Sequence, residues 1–182
     1  MSEQVDIYLG VDPGAAGSIA VLSGEYPRQG VTTLLLSNNT ERQVWEWLRR
    51  IPTDFGIQAG QPFQWFAMLE KVGGYLPGSA GNIGSAMFNF GRSYGFLRGC
   101  MVAVGVPFAE VIPAVWQRAL GIPARRKTEI KSRWKRRLRQ HAEQLFPGFP
   151  VTQAAADALL LAEYCRQRRV GLLTNLPKKE GG

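Results

Sequence analysis

With 182 residues, 45% of them hydrophobic, the chain has enough apolar material for one domain with a full core and too little for two. No run of about 18 apolar residues occurs, which excludes a membrane-spanning helix. No basic segment followed by an apolar stretch opens the chain, so no signal peptide and a cytoplasmic location are expected. Lysine and arginine number 22 against 14 acids, a net charge of +8.

The first predicted strand is Val5–Val11, ended by the turn signal Asp12-Pro13-Gly14. Gly17–Leu22 makes a hairpin with it, and Val31–Leu36 forms a third strand. Thr40 caps a helix to about Arg50 that turns Val44, Trp47, Leu48 and Ile51 to one face. A fourth strand, Phe63–Leu69, ends at Glu70. The next segment, Lys71–Gly84, carries five glycines and reads as a loop. Ser85 then caps a long helix from Ala86 to about Val104, in which Gly91, Gly95 and Gly99 recur every four residues. A fifth strand covers Pro107–Ile112, a short helix Ala114–Leu120, and a basic helix runs on to Phe146. The last helix spans Thr152–Arg168, with Ala155, Leu159 and Ala162 on one face.

Short links make the first three strands an antiparallel meander. Helical crossovers make the fourth and fifth parallel additions. The expected fold class is therefore α/β: a five-stranded mixed sheet with helices on both faces. One domain should cover residues 1–175, followed by a flexible tail, 176–182. Cys100 and Cys165, far apart in apolar helical contexts, are expected as buried free thiols.

Between Arg125 and Arg139 stand nine basic residues (Arg125, Arg126, Lys127, Lys131, Arg133, Lys135, Arg136, Arg137 and Arg139) against one acid, Glu129. A solvated helix face usually mixes signs, so this one-sided run points to a polyanion, nucleic acid before all others. Its apolar side, Ile130, Trp134 and Leu138, is too small for a membrane surface.

Asp12 and Glu70 each follow a strongly apolar strand. Parallel neighbours would deliver both carboxylates to one sheet edge, where they repel unless a proton or a cation intervenes. A third carboxylate would complete a hard oxygen site suited to Mg²⁺ or Mn²⁺. Asp157, alone among alanines and leucines near a helix start, has two readings. It is an exposed acid favoured by the helix dipole, or an acid aimed at the site by a helix whose alanines let it lie tight on the sheet. The single histidine, His141, has no Ser or Cys partner and reads as a surface or packing residue, so a hydrolase triad is not expected.

GVDPGAAGSIAVL (Gly10–Leu22), FAMLEKV (Phe66–Val72) and AADALLLAEY (Ala155–Tyr164) resemble, in order, the three catalytic blocks of RuvC-type Holliday junction resolvases. GSAMFNFGRSYGFLRG (Gly84–Gly99) and VIPAVWQRALGIP (Val111–Pro123) resemble the phage-type branch of that family. The resemblance implies an RNase H-like fold and a homodimer. It also implies hydrolysis of phosphodiesters at four-way DNA junctions by two Mg²⁺ or Mn²⁺ ions, with Asp12, Glu70 and Asp157 as metal ligands. One departure stands out. The family places a fourth ligand, Asp or His, three or four residues before the final Asp, where this chain has Ala154 and Gln153. Three carboxylates suffice, or the chain is an impaired nuclease that binds branched DNA without turnover. A nuclease of the same fold acting on RNA or on DNA flaps is a third reading.

For DNA contact the sequence offers the basic run from Arg125 to Arg137, Arg92 and Arg98 on the long helix, and Tyr75 in the loop after Glu70. Tyr75 either stacks on an unpaired base or anchors the loop. Phe88, Phe90 and Trp116 read as core or dimer contacts, and the glycine-bearing helix as the dimer face.

Overall fold

The computed structural model describes residues 4–14, 16–24, 30–71 and 83–171. Tyr75, most of the loop after Glu70 and the tail from residue 172, including the expected domain end at 175, lie outside the described residues. Five strands, β1 (Val5–Asp12), β2 (Ser18–Ser23), β3 (Val31–Leu35), β4 (Phe63–Glu70) and β5 (Phe108–Val111), form one sheet in the order β3-β2-β1-β4-β5. β1 pairs antiparallel with β2, and β2 with β3, while β4 is parallel to β1 and β5 to β4. The expected meander and parallel additions are both present.

Alternation along the strands divides the core in two. Ile7, Leu9 and Val11 of β1, with Ala67 and Leu69 of β4, pack against α1 (Glu41–Asp54) and α2 (Ile83–Ala103). Tyr8 and Met68 face the other way, toward α3 (Pro113–Ala119), α4 (Lys131–Leu145) and α5 (Ala156–Arg169). A period of two puts Gly10 and Asp12 of β1, and Glu70 of β4, on that second face. Cys100 and Cys165 are free and buried, and Trp116 is a fully buried core residue.

Boundaries differ from expectation in three helices. α1 is capped by Thr40 and Gln43 in a reciprocal capping box, but it runs through Pro52 to Asp54. A proline in the last turn forfeits only one helical bond, and buried Ile51 anchors that turn. α2 begins at Ile83, so Ser85 lies inside its first turn rather than capping it. Thr152 caps as a sequence signal should, its Oγ1 accepting from the Ala155 N–H at 3.2 Å, but it caps a turn, and regular helix starts only at Ala156. Ala154 is therefore in the lead-in turn, not on α5.

α5 does not show a single apolar face: residues 156 to 165 are all buried, including Asp157 and Glu163. It is sandwiched between the sheet and α4, with α3 at its side. Small residues allow this. A Cβ built on Gly10 would lie 2.0 Å from the Ala158 carbonyl oxygen and 2.3 Å from the Ala162 nitrogen, so β1 and α5 meet backbone to backbone. Alanines at 155, 156, 158 and 162 keep the helix side of the contact equally thin.

This contact predicts opposite outcomes for two glycine substitutions. Gly10→Ala should destabilise by at least the about 1–3 kcal/mol usual for overpacking, because the obstacle is backbone on both sides. Gly91→Ala, on α2 with nothing within 4 Å of the added carbon, should stabilise by about 0.5–1 kcal/mol. Denaturant midpoints of both variants test this; unchanged stability in Gly10→Ala would mean that α5 is not seated on β1 as described.

Candidate metal centre at the end of the sheet

β1 and β4 run parallel in register from Val5 opposite Phe63 to Val11 opposite Leu69. Asp12 and Glu70 are the next residue on each, side by side at the same sheet edge and on the α5 face. Asp12 is held from below: its Oδ1 accepts a hydrogen bond from the Gly14 N–H at 3.1 Å. The turn is closed by the Gly17 N–H bonding the Gly14 carbonyl at 2.8 Å. A side chain at Gly17 would collide with the Asp12 carbonyl oxygen at 2.1 Å, so this turn admits only glycine there.

Asp157 arrives from above, in the first turn of α5. The lead-in turn is pinned to the sheet by the buried Ser18, whose hydroxyl donates to the Ala154 carbonyl at 2.9 Å. Ser18 is also the β2 partner of Asp12, so one residue ties the helix start to the strand end. The exposed-acid reading of Asp157 is thereby excluded: the residue is only 6% exposed.

The three acids feel one another. Burial first, and then the Asp157 charge, raise the Asp12 carboxyl above its ordinary value, against the Gly14 N–H and Lys135. Burial, Asp12 and Asp157 together push Glu70 up to about 8, with Lys135 opposing. Among the described residues, Asp157 Oδ1 and Glu70 Oε2 are buried without a hydrogen-bond partner. Leaving a buried acceptor unsatisfied costs about 1–3 kcal/mol, more when it is charged. By contrast Glu163, the other buried acid of α5, is fully engaged by Arg166 at 2.8 and 2.7 Å and by Gln167 at 2.7 Å. Among the described residues, the buried carboxylate oxygens left without a partner are thus those of Glu70 and Asp157.

Lys135 of α4 is the cation already there. Its ammonium pairs with Asp157 Oδ2. Burial works against the lysine charge, but Asp157, Asp12 and Glu70 outweigh it and raise its pKa. Among the described residues, no group of three or more His, Cys, Asp or Glu side chains is arranged to hold a metal ion as placed. The donor chemistry nonetheless fits one: hard carboxylate oxygens, two of them orphaned, in a setting that penalises their charge.

The basic run divides into three parts. Arg125, Arg126 and Lys127 lie on the loop before α4 and are exposed, as are Lys131, Arg133 and Arg136 on the helix. Lys135 turns inward to the acids. Arg137 is half-buried, bonds Glu129 Oε2 at 2.9 Å and covers the Trp134 ring at 4.7 Å. Arg98 is engaged as well, 3.3 Å from Glu110. Arg92 is exposed and lines a cleft of about 350 Å³ with Asn89, Ser93, Asn39 and Gly14, the residue that binds Asp12. His141 is half-buried on α4. Sequence reasoning missed Ser18 as the tie, and it did not foresee that Lys135, expected as a DNA contact, also pairs with Asp157.

No protein-family model and no curated protein matches the chain by sequence. Solved structures do match. RuvC of Thermus thermophilus in complex with a Holliday junction substrate superposes with a TM-score of 0.55 at 13% identity, over 93% of this chain and 97% of that one. A further Thermus thermophilus RuvC structure gives a TM-score of 0.51 at 15% identity, over 92% and 97%. The chain has the RuvC-like, RNase H-like α/β fold expected from its sequence.

The raised Glu70 carboxyl makes a pH prediction for the metal-free protein. The unfolded chain releases that proton near 4.5, the folded chain only near 8. Between those values the folded state binds more protons, so stability is greatest at the acid end and falls as pH rises. Glu70→Gln removes the charge and should lose less stability between about pH 5 and about pH 9, measured in chelator by denaturant unfolding. Equal losses in both proteins would show that Glu70 titrates normally.

Proposed function

We propose that the chain is a divalent-metal-dependent endonuclease that binds and cleaves branched DNA, four-way junctions above all. The observation that carries this reading is the meeting of Asp12, Glu70 and Asp157 at one end of the central strands, beside a helix whose outer side is basic. Support comes from the RuvC-like fold, whose matched structure holds a Holliday junction substrate. The segments Gly84–Gly99 and Val111–Pro123 resemble the phage-type branch of the resolvases, and that branch is part of the proposal.

In this reading Asp12, Glu70 and Asp157 are the ligands of Mg²⁺ or Mn²⁺. Such an ion supplies an activated water and neutralises charge on the leaving oxygen. The protein's own part is positional. Gly14 and Ser18 hold two of the acids in place, and α5 roofs the site. Arg125, Arg126, Lys127, Lys131, Arg133 and Arg136 offer phosphate contacts on one side, and Arg92 beside the Gly14 turn offers one on the other. Tyr75, in the segment that follows Glu70 in sequence, is proposed to meet the junction.

A homodimer is part of the proposal. Phe88, Gly91, Gly95, Gly99 and Val102 recur at helical spacing along α2, and Phe88 and Val102 are each 71% exposed. Among the described residues, nothing lies within 4 Å of a Cβ placed on any of the three glycines, so no described residue covers this side of α2. Gly95→Glu should therefore leave the monomer folded and shift sedimentation from dimer to monomer; an unchanged dimer would put the interface elsewhere.

A second reading, junction binding without turnover, is favoured by one observation. Ala154 brings no side-chain oxygen, its carbonyl is taken by Ser18, and Gln153 turns its Nε2 to the Lys135 carbonyl at 2.7 Å. Cleavage and binding assays on a synthetic four-way junction, a flap and an RNA hairpin, with Mg²⁺ and then Mn²⁺, decide between the readings. Cutting of the junction alone supports the first, tight binding without cutting in either metal the second, and preference for RNA or the flap overturns both. Asp12→Asn should abolish cutting and keep junction affinity; full activity would remove Asp12 from the site.

The basic surface has its own test. Arg133→Ala with Arg136→Ala should weaken junction binding and lower the slope of affinity against salt by about two, roughly one per lost phosphate contact. Arg137→Ala should act mainly on stability, because Arg137 is already occupied by Glu129 and Trp134. An unchanged salt slope in the double variant would mean that α4 faces something other than DNA.

A further inference from the structure

We propose that Lys135 serves as a built-in second cation, so that the acidic site takes one divalent ion per chain rather than two. This rests on the metal-dependent reading above and concerns how that site is filled.

The ammonium already lies among the acids. Lys135 reaches from α4 to pair with Asp157 Oδ2, and Asp12 and Glu70 both act on it electrostatically. Asp157 spends one oxygen on this pair and keeps the other, Oδ1, buried and unpartnered. Glu70 Oε2 is in the same condition. One ammonium has therefore satisfied one of the buried acceptors and left two others, among the described residues, without a partner.

Charge agrees with this division. Once a cation holds Glu70 ionised, three carboxylates and one ammonium leave two negative charges, matched by a single divalent cation. A second dication would carry the cluster to a net positive charge and would have to displace Lys135 from Asp157.

Lys135 is braced for the role. Its main chain is held through the Gln153 bond at 2.7 Å, and its neighbours Trp134 and Leu138 are buried against the core. Its side chain is about one-third exposed, so the ammonium stands between the acids and solvent. A phosphate approaching α4 would meet it there, and one lysine would then contact both the acid cluster and the incoming anion.

The test is Mn²⁺ binding to the protein without DNA, by calorimetry for stoichiometry and by electron paramagnetic resonance for spin coupling between ions. Wild type should bind one Mn²⁺ per chain with the spectrum of an isolated ion. Lys135→Met, which keeps length and removes charge, should bind two and show a coupled pair, and Lys135→Arg should stay at one. Lys135→Gln is a second neutral variant should the first not fold, and the wild-type count decides regardless. Two ions in wild type would overturn the proposal while leaving the metal-dependent nuclease intact. A single ion in folded neutral variants would also overturn it, by showing that the lysine does not exclude the second. No Mn²⁺ bound by any of the proteins would sink the metal reading itself.

Discussion

The contact on which this structure depends is the backbone-to-backbone seating of α5 on β1 at Gly10. With 2.0 Å between a would-be Cβ and the Ala158 carbonyl, no side chain separates helix from strand. A helix lying that close delivers its first turn to the strand's end, and the register of β1 then decides what it meets. Asp12 is two residues beyond Gly10 on the same face, and Asp157 is one residue before Ala158. The meeting of those acids is thus a consequence of packing small residues, and Ser18 fixes its last degree of freedom by holding the Ala154 carbonyl.

Close packing of this kind has an electrostatic consequence. Dispersion and apolar burial seat the helix, and the same seating removes water from carboxylates that then repel each other. Glu163 shows how the fold treats an acid that serves packing alone: Arg166 and Gln167 on the same helix satisfy both of its oxygens. Asp157 and Glu70 have no such local partner, and their spare oxygens are left orphaned at the sheet edge. Structural stability alone gives no reason to keep two buried acceptors unpaired, whereas a site that recruits a cation needs them.

Much of this was legible in the sequence, for definite physical reasons. Alternation and turn residues gave the strands, and link lengths gave their directions, so Asp12 and Glu70 could be placed at one edge. Asp157 could not be decided from residues alone, because an acid in the first turn of an alanine-rich helix has the same local pattern exposed or buried. Its burial comes from α4 and the sheet closing on both sides of α5, which is tertiary information. Helix limits slipped where caps and turns overlap. Thr152 caps a turn rather than α5, and that shift takes Ala154 off the helix. Lys135 was readable and went unread: it shares a helical stripe with buried Leu138 and Ala142, three and seven residues on, which points it inward. Counting the basic residues as one patch concealed that spacing.

That stripe gives α4 two unlike edges separated by about 100° of helix rotation per residue. Leu138 and Ala142 seat the helix on the core, and Lys135, on the same side but at the rim, reaches the acids. Arg133 and Arg136, its near neighbours in sequence, are turned to solvent. The helix is anchored by its apolar side, so neither edge can move without the other. On the proposed reading, a polyanion drawn to the outer arginines is delivered next to Lys135, which already offsets part of the charge of the acid cluster. Affinity and chemistry then share a single rigid element, and the placement of the phosphate is set by the same packing that sets the carboxylates.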